Sequence, residues 1–246
     1  ASSVESMSQP VAVVIGASRG IGLTLAKALQ GKGLRVIGTS RGPCAELTAA
    51  GCENIADIDV SQPSIAAGKL AAALTGTTLD VIVHNAGIMQ FETVDELAVE
   101  GSRGAAVQSI EQQLTVNAVA PVACISALRG NMKAGTKIGI ITSRMGSIAD
   151  NGGGSKYGYR MSKAAVNMAG VSLAVDLKES PGAFVNLLHP GMVETDLNRK
   201  FGAKAGQGST ISQDESVAGI IARIDQMSAE NSGQFFHAVS GEVLPW

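Results

Sequence analysis

A chain of 246 residues with 45% hydrophobic residues is long enough to bury a sizeable core, as one large α/β domain or two small ones. Its formal net charge of −2 argues against nucleic acid or an anionic membrane as the main partner, and its short apolar runs predict no membrane span. Three cysteines without metal-ligand spacing predict no metal site and favour a reducing, cytoplasmic location. Residues 1–9 predict a flexible polar tail without a secretory signal, although a targeting segment upstream of Ala1 could be missing.

The first predicted element is a short apolar strand, Val11–Ile15, which is followed at once by the glycine-rich run GASRGIG. A helical pattern comes next, so this order predicts the start of a βαβ unit. Gly16, Gly20 and Gly22 permit a tight turn in which backbone N–H groups approach a pyrophosphate at the helix N-terminus. The spacing differs from the general dinucleotide fingerprint, so a glycine turn without a ligand is the alternative.

The second predicted strand, residues 34–39, ends in Ser40 and Arg41. In dinucleotide-binding folds an acidic residue at this position binds the ribose 2′-hydroxyl. A hydroxyl and two guanidinium groups, with Arg19 from the glycine-rich turn, instead suit a 2′-phosphate. The sequence therefore favours NADPH over NADH, unless Arg41 is only a solvated loop cation.

Both glycine-rich sites also match G-x-S-x-G, at Ser18 and Ser40, which raises the alternative of a serine hydrolase. Asp196 and His237 follow in the chain order that such a triad needs. However, Ser18 follows the first strand, so no earlier loop exists to build an oxyanion hole. We therefore disfavour the hydrolase.

Further along the chain, apolar runs predict strands at residues 55–60, 81–83, 137–142 and 184–188 and a short final one at 235–236. Helices are predicted at residues 64–74, 105–132, 159–178 and 214–227. Residues 91–104 are expected to be irregular, and residues 201–212 to form a mobile lid. The alternation predicts one domain, residues 10–246, with a Rossmann-type, doubly wound, mostly parallel sheet of about seven strands and helices on both faces.

Several positions between these elements carry groups suited to binding or chemistry. Pro121 has no N–H, so the carbonyl of Asn117 loses its helical donor and could bind an ordered water, although a helix kink without chemistry is equally consistent. Ser143 follows strand 137–142 directly. Pro190 and Gly191 predict a turn after strand 184–188, at the edge where open α/β sheets bind ligands. The carboxylates near the end of strand 55–60 could reach an adenine amino group or cap the following helix.

Tyr159 and Lys163 lie four residues apart in a segment with helical composition, so the spacing predicts that both lie on one helix face. A cation beside a phenol favours the phenolate and lowers its pKa from about 10 toward neutrality. A tyrosine tuned in this way can give or take a proton at physiological pH. An ordinary pair on a helix surface is the alternative.

Together these motifs resemble the ordered motif set of the short-chain dehydrogenase/reductase family. The resemblance is carried by GASRGIG, the NAG at 85–87, Asn117, Ser143, the YRMSK at 159–163 and the PGMVETD at 190–196, and it covers roughly residues 10–246. The long loop before Tyr159 and the ending LPW are similar to the C-factor and sniffer-like carbonyl reductases within that family.

The resemblance implies an NADP-dependent oxidoreductase that acts on a small carbonyl or alcohol. Tyr159 would be the general acid, Lys163 would lower its pKa and hold the ribose hydroxyls, and Ser143 would orient the carbonyl. Asn117 would hold a water that reaches Lys163. The implied NADP(H) contacts are Gly16, Ser18, Arg19, Gly20, Ile21, Gly22, Ser40, Arg41, Asp59, Val60, Asn85, Ala86, Gly87, Tyr159, Lys163, Pro190, Gly191, Val193 and Thr195.

Two features depart from the family pattern, and other functions stay open. His84 stands where the family usually has Asn, and the sixteen positions from Ser143 to Tyr159 indicate a reshaped substrate pocket. An NADP(H)-binding signalling or regulatory protein of the C-factor type, with little catalytic role, is the second hypothesis. A nucleotide-sugar epimerase is disfavoured, because there is no sizeable C-terminal substrate domain. The long apolar helices could pair in a homodimer or homotetramer, or could be buried within one subunit.

Overall fold

Strands and helices alternate along the computed structural model, which describes residues 9–199 and 208–246. The strands are β1 (Val11–Ile15), β2 (Arg35–Thr39), β3 (Glu53–Ile55), β4 (Leu79–His84), β5 (Met132–Ile141), β6 (Phe184–His189), β7 (Met192–Val193), β8 (Thr210–Ile211) and β9 (Phe235–His237). The helices are α1 (Gly20–Gly31), α2 (Ala45–Ala49), α3 (Pro63–Ala73), α4 (Val94–Ala98), α5 (Glu100–Leu114), α6 (Ala120–Ala127), α7 (Tyr157–Asp176), α8 (Asp196–Arg199) and α9 (Gln213–Asp225). A π-helical turn, Thr115–Val119, joins α5 to α6, and short 3₁₀ helices span Arg129–Asn131 and Arg144–Gly146.

Seven of the strands form one parallel sheet in the order β3-β2-β1-β4-β5-β6-β9. Strand order reverses between β1 and β4, where Ile15 lies opposite His84. In open α/β sheets, ligands bind outside the carboxyl ends of the strands at such a reversal. The predicted single domain with a doubly wound, mostly parallel sheet of about seven strands is confirmed.

The sheet is buried on both faces because its strands carry apolar side chains in both directions. Along β1, Val13 and Ile15 join a core layer with α3, α6 and α7, whereas Ala12 and Val14 join a second layer with α1 and α9. Alternate residues of a strand point to opposite faces, so a continuous apolar run is what a doubly covered strand requires. The two layers hold the carboxyl ends of the strands in fixed positions.

Two predicted segments are wrong in type. The strand expected at residues 55–60 is β3, which ends at Ile55, because Asp57 adopts a left-handed φ of +60° and the Ile58 N–H donates to the Ser40 carbonyl at 3.0 Å. Residues 91–104, expected to be irregular, contain α4 and the start of α5. A reciprocal capping box between Thr93 and Glu96 starts α4.

Other boundaries differ in length. The helix expected at 105–132 is interrupted by the π-helical turn and ends at Ala127, and β5 begins at Met132 rather than at 137. Residues 1–8 of the expected tail and 201–207 of the expected lid lie outside the described residues. Of the remaining lid, Thr210–Ile211 forms β8, which pairs in parallel with β7.

Two surface properties bear on partners. Among the helices of residues 9–199 and 208–246, none combines the length and hydropathy of a membrane span. Helix α7 exposes Met161, Met168 and Val175, which recur every seven residues along it. Association into a dimer or tetramer stays a prediction.

Candidate active site

The glycine-rich turn between β1 and α1 packs backbone to backbone against the segment that follows β4. Gly16 has a φ of +83°, and a Cβ added to it would lie 2.8 Å from the backbone of Ala86. The Asn85 side chain donates to the Gly16 carbonyl at 2.7 Å, and a Cβ at Gly22 would overlap that same carbonyl oxygen. Glycine is therefore required at positions 16 and 22 by contacts within the protein, at the point where strand order reverses.

The start of α1 has the donors of an anion site. The helix begins at Gly20, and its first turn, residues 20–23, contains uncharged residues. The backbone N–H groups of a first turn and the helix macrodipole favour a negative charge. Arg19 is exposed beside this turn, with its guanidinium 3.6 Å from the Asp196 carboxylate, and Ser18 is exposed next to it. This donor set suits a phosphate group.

The glycine-rich turn and the segment after β4 form one side of a crevice at the carboxyl ends of β1 and β4. The segment after β6 forms the other side. Gly191 has a φ of +88°, and a Cβ there would lie 2.9 Å from the Ile211 side chain. Val193 is fully buried in β7, and a Cβ at Gly20 would lie 3.6 Å from the methyl group of Thr195. Segments 16–22, 85–87 and 190–195, which the sequence predicts to bind cofactor, are thus neighbours in space.

At the end of β2, Ser40 and Arg41 are the two predicted contacts of the 2′-phosphate, and they differ in whether they can reach a ligand. The Ser40 hydroxyl lies 2.5 Å from the Gly42 carbonyl and 2.7 Å from Asn54 Oδ1, so it is turned into the protein. Arg41, the next residue, is exposed. The geometry therefore favours Arg41 over the Ser40 hydroxyl as a partner for a 2′-phosphate.

The predicted adenine contacts lie between β3 and α3. The Asp59 carboxylate accepts from the Ser61 N–H at 3.0 Å, and Val60 packs against the core layer of α3. The Asp59 contact fits the alternative in which the carboxylate organises the turn before the helix. Adenine binding by Asp59 and Val60 stays a prediction.

The four predicted catalytic residues come together beside the end of β5. Ser143 follows β5, and its side chain acts on the hydroxyl of Tyr159 by lowering its pKa; Tyr159 is buried in the first turn of α7. Lys163 is buried one turn later, with Nζ 5.7 Å from the centre of the Tyr159 ring. A Cβ at Gly87 would lie 3.2 Å from Asn117 Oδ1 and 3.7 Å from Lys163 Nζ. Segment 85–87 therefore contacts both the glycine-rich turn and the predicted catalytic residues.

The electrostatics of Tyr159 differ from the sequence-based prediction. Burial raises the pKa of Tyr159 to about 12, and the hydrogen bond with Ser143 only partly offsets this. Burial also lowers the pKa of Lys163 to about 8. The predicted lowering of the tyrosine pKa by the lysine is wrong here, because Lys163 Nζ donates to the Ile141 carbonyl at 3.0 Å and loss of solvent dominates. Tyr159 is consequently protonated at neutral pH.

His84 forms an uncharged boundary of this cluster at the end of β4. Its side chain is buried, and burial, with the positive charge of Lys163, lowers its pKa to about 3. Its Nε2 atom has no hydrogen-bond partner among residues 9–199 and 208–246. The imidazole is thus neutral at physiological pH.

Asn117 lies in the π-helical turn and ties the segment after β4 to α7. Its Oδ1 accepts from the Ile88 N–H, and its Nδ2 donates to the Ile88 carbonyl, both at 2.8 Å. Nδ2 also donates to Ser162 Oγ at 3.0 Å, and that hydroxyl donates to the Tyr159 carbonyl at 2.9 Å. Pro121, four residues after Asn117, is the sequence signal for this irregular turn.

Glu92 is a residue of this region that the sequence did not predict. It is completely buried, and its carboxylate accepts hydrogen bonds from Ser109, Gln113 and the N–H of Gly158, the residue before Tyr159. A single glutamate within an acidic segment has no pattern that distinguishes it from a solvated one. Only the fold brings it to the start of α7.

The residues of the hydrolase alternative are far apart. His237 lies in β9, at the far edge of the sheet from β2, where Ser40 lies. Five strand spacings of about 4.8 Å separate β9 from β2, or about 24 Å, and four separate it from β1, which precedes Ser18, or about 19 Å. His237 packs against His189, with ring centres 5.0 Å apart, and Asp196 lies beside Arg19. A triad from these residues is therefore excluded.

Comparisons with known proteins match nearly the whole chain. The family described as short chain dehydrogenase matches residues 10–206. The 1-hydroxy-2-glutathionyl-2-methyl-3-butene dehydrogenase of Rhodococcus sp. (strain AD45) is 39% identical over 237 residues, which cover 95% of this chain and 98% of that protein. The C-signal protein of Myxococcus xanthus is 37% identical over 175 residues, which cover 68% of this chain and 93% of that protein.

Solved structures of carbonyl reductases are similar in fold. The crystal structure of NADPH-bound carbonyl reductase from chicken fatty liver has a TM-score of 0.81 at 28% identity, covering 97% of this chain and 99% of that one. The carbonyl reductase Sniffer of D. melanogaster has a TM-score of 0.77 at 27% identity, with the same coverage of both chains. These structures and the relatives above are similar to this chain over the segments that build the crevice.

Proposed function

This chain belongs to the short-chain dehydrogenase/reductase family, as its motifs predict, and we propose that it is an NADPH-dependent oxidoreductase that reduces a ketone or aldehyde. The observation that carries the proposal is the buried cluster at the end of β5, where Ser143 acts on Tyr159 and Lys163 follows one turn later. The similarity to the carbonyl reductases of chicken and D. melanogaster supports this substrate class.

The residues of the crevice fit NADPH. The backbone N–H groups at the start of α1 would bind the pyrophosphate, and Arg41 with Arg19 would bind the 2′-phosphate. Segments 85–87 and 193–195 would contact the nicotinamide end of the cofactor. When bound, the reduced nicotinamide supplies the hydride. The close packing of Gly16 on Ala86 supports this assignment, because it brings the glycine-rich turn and segment 85–87 together at the ends of β1 and β4.

Tyr159 and Ser143 perform the proton chemistry in this proposal. The Tyr159 hydroxyl is protonated at neutral pH, because burial raises its pKa to about 12, and it donates its proton to the carbonyl oxygen of the substrate. The Ser143 hydroxyl donates a hydrogen bond to the same oxygen and fixes its orientation. Both donors stabilise the negative charge that develops on that oxygen.

Lys163 and Asn117 support this proton transfer. With a pKa of about 8, the Lys163 ammonium stays mostly protonated at neutral pH, so it can return a proton to Tyr159 after the transfer. The Asn117 side chain is engaged by Ile88 and Ser162, so the group that could hold a water is its main-chain carbonyl. Pro121 cannot donate to that carbonyl, which suits a water that returns a proton through Lys163.

The decisive experiment is NADPH oxidation, followed by absorbance, against a panel of aliphatic and aromatic ketones and aldehydes, with NADH as the control cofactor. A glutathione conjugate bearing an alcohol, assayed with NADP⁺ and NAD⁺, extends the panel because of the Rhodococcus relative. We expect at least one carbonyl compound to be reduced with NADPH in preference to NADH. Tight NADPH binding without turnover of any compound would contradict the proposal.

Cofactor preference is tested separately with Arg41→Ala. We expect the Kd for NADPH to rise at least about tenfold and the Kd for NADH to change less than about twofold, since a charge-assisted contact to the 2′-phosphate is lost. Arg129→Ala is the control, because Arg129 lies just before β5, at the amino ends of the strands and therefore opposite the carboxyl ends where the cofactor would bind. Equal losses for both cofactors in Arg41→Ala would refute the 2′-phosphate assignment.

A signalling or regulatory role is the second candidate, and the similarity to the C-signal protein favours it. In that case the surface would matter more than the chemistry, and the crevice would bind NADP(H) without productive turnover. The carbonyl panel separates the two functions. The reductase predicts turnover that depends on Tyr159, and the signalling protein predicts binding alone.

A further inference from the structure

We propose that Glu92 is a positioning residue: with Gln113, it fixes the first turn of α7 and thereby holds Tyr159 in place for proton transfer. This inference rests on the proposed function, because it takes Tyr159 as the proton donor. Neither residue belongs to the motifs that identify the family in this sequence. We call Glu92, Gln113 and their contacts with Ser109 and Gly158 the α7 clamp.

The carboxylate of Glu92 is buried from solvent and accepts hydrogen bonds from three donors. Its Oε1 accepts from Ser109 Oγ and, at 2.6 Å, from Gln113 Nε2, and its Oε2 accepts from the Gly158 N–H at 3.0 Å. The side chain is 0% exposed. A buried carboxylate is tolerated only when hydrogen bonds replace its hydration. Three donors from α5 and α7 meet that requirement, so Glu92 joins the two helices.

The contact with Gly158 provides a cap for α7 from a different segment of the chain. The first N–H groups of a helix have no partner within the helix. Lys156, which precedes α7, has a left-handed φ of +53° and gives no side-chain cap. Glu92 supplies the missing acceptor to the Gly158 N–H, and its main-chain carbonyl accepts from the Lys156 N–H at 2.9 Å. A negative charge at this end also suits the helix macrodipole.

The start of α7 is packed closely against α5. A Cβ at Gly158 would overlap the amide of Gln113 and lie 2.9 Å from Cα of Ile110. Only glycine permits this approach, which brings the Gly158 N–H within reach of Glu92. Gly158 and Glu92 therefore act together, the first by its size and the second by its charge.

A second set of contacts holds the other side of the same turn. Asn117 Nδ2 donates to Ser162 Oγ, which donates to the Tyr159 carbonyl. Gln113, four residues before Asn117, accepts from the Gln90 N–H at 2.9 Å, so both side chains also hold the segment from Ile88 to Glu92. Tyr159 thus lies between two fixed points, the N–H before it and its own carbonyl. A shift of about 1 Å at a reacting group can cost about 100-fold in rate.

Glu92→Gln tests the α7 clamp, because it keeps the shape of the side chain and removes one acceptor. Wherever the new NH₂ group points, it meets a donor, either the Gln113 amide or the Gly158 N–H. We expect kcat for the carbonyl identified by the panel to fall about tenfold, with KM and the Kd for NADPH changed less than about twofold. Hydrogen exchange of the Gly158 amide, measured by NMR, should accelerate at least about tenfold.

The double variant Glu92→Gln/Gln113→Glu exchanges the amide and the carboxylate and should rescue both readouts. The amide at position 92 then donates to the carboxylate at position 113, and its oxygen accepts from the Gly158 N–H. The exchanged carboxylate still accepts from the Gln90 N–H. We expect kcat and exchange within about twofold of the wild type. Glu96→Gln, in the exposed capping box of α4, is the matched control and should change neither readout.

The two readouts separate the failure of this inference from the failure of the proposed function. Faster Gly158 exchange with an unchanged kcat, or a lowered kcat that the double variant does not restore, would overturn the inference. Full activity of Tyr159→Phe would instead overturn the proposed function. If Glu92→Gln does not fold, Ser109→Ala replaces it. That variant removes one donor without adding another, and we expect kcat to fall about threefold; an unchanged kcat would again overturn the inference.

Discussion

Tyr159→Phe is expected to lower kcat for carbonyl reduction by at least about 1000-fold, while the Kd for NADPH changes less than about threefold. The substitution removes one oxygen, the atom that would donate the proton to the substrate. The ring stays packed, because phenylalanine fills nearly the same buried volume in α7. Steady-state kinetics with NADPH and fluorescence titration of the cofactor measure the two quantities.

The chain offers a matched control for this substitution. It contains two tyrosines, and the other, Tyr157, is the first residue of α7 and only partly buried. Tyr157→Phe removes the same oxygen two residues away and should keep kcat within about twofold of the wild type. Retention of more than a tenth of wild-type kcat in Tyr159→Phe would show that another group donates the proton.

The second large effect is expected for stability. Gly22→Ala should lower the free energy of unfolding by about 3 kcal/mol, because the new Cβ would overlap the carbonyl oxygen of Gly16 and lie 2.5 Å from the Asn85 amide. The overlap cannot be relieved by rotating a side chain, since the Gly16 carbonyl is main chain and is held by Asn85 at 2.7 Å. Urea unfolding followed by circular dichroism measures the change.

Gly31→Ala is the control within the same helix. Apart from its two chain neighbours and the backbone of its own helix, no atom of the described residues lies within 4 Å of a Cβ added at Gly31. Alanine there should raise the free energy of unfolding by about 0.5 kcal/mol, because it restricts the unfolded chain and favours the helix. If Gly22→Ala were as stable as Gly31→Ala, the close packing of the glycine-rich turn would be disproved.

Much of the fold could be predicted because a buried parallel strand is encoded by a short apolar segment of consecutive residues. Val11–Ile15 is a continuous apolar run, residues 184–188 are apolar except for Asn186, and both lie in the central sheet where expected. The strand expected at 55–60 ends early because of a contact with a residue distant in sequence. Asp57 has a positive φ, and the next residue, Ile58, donates to the carbonyl of Ser40, which follows β2.

The site residues could be predicted where the chemistry requires one residue type at a fixed spacing. Properties that depend on contacts with residues distant in sequence could not be predicted. Spacing places Tyr159 and Lys163 on one helix, but the direction of the tyrosine pKa depends on burial and on the Ile141 carbonyl that Lys163 contacts. Glu92 was missed for the same reason, since its donors come from segments 17 to 66 positions away. Periodicity and motif spacing describe near neighbours and carry no information on such contacts.

The π-helical turn Thr115–Val119 allows one helical segment to serve two different neighbours. An α-helix turns by about 100° per residue, so the extra residue in this turn rotates everything after it by about that angle. Before the turn, α5 packs on α7, and after it, α6 packs on α3. A chain one residue shorter here could form an unbroken α-helix only by abandoning one of these two alignments.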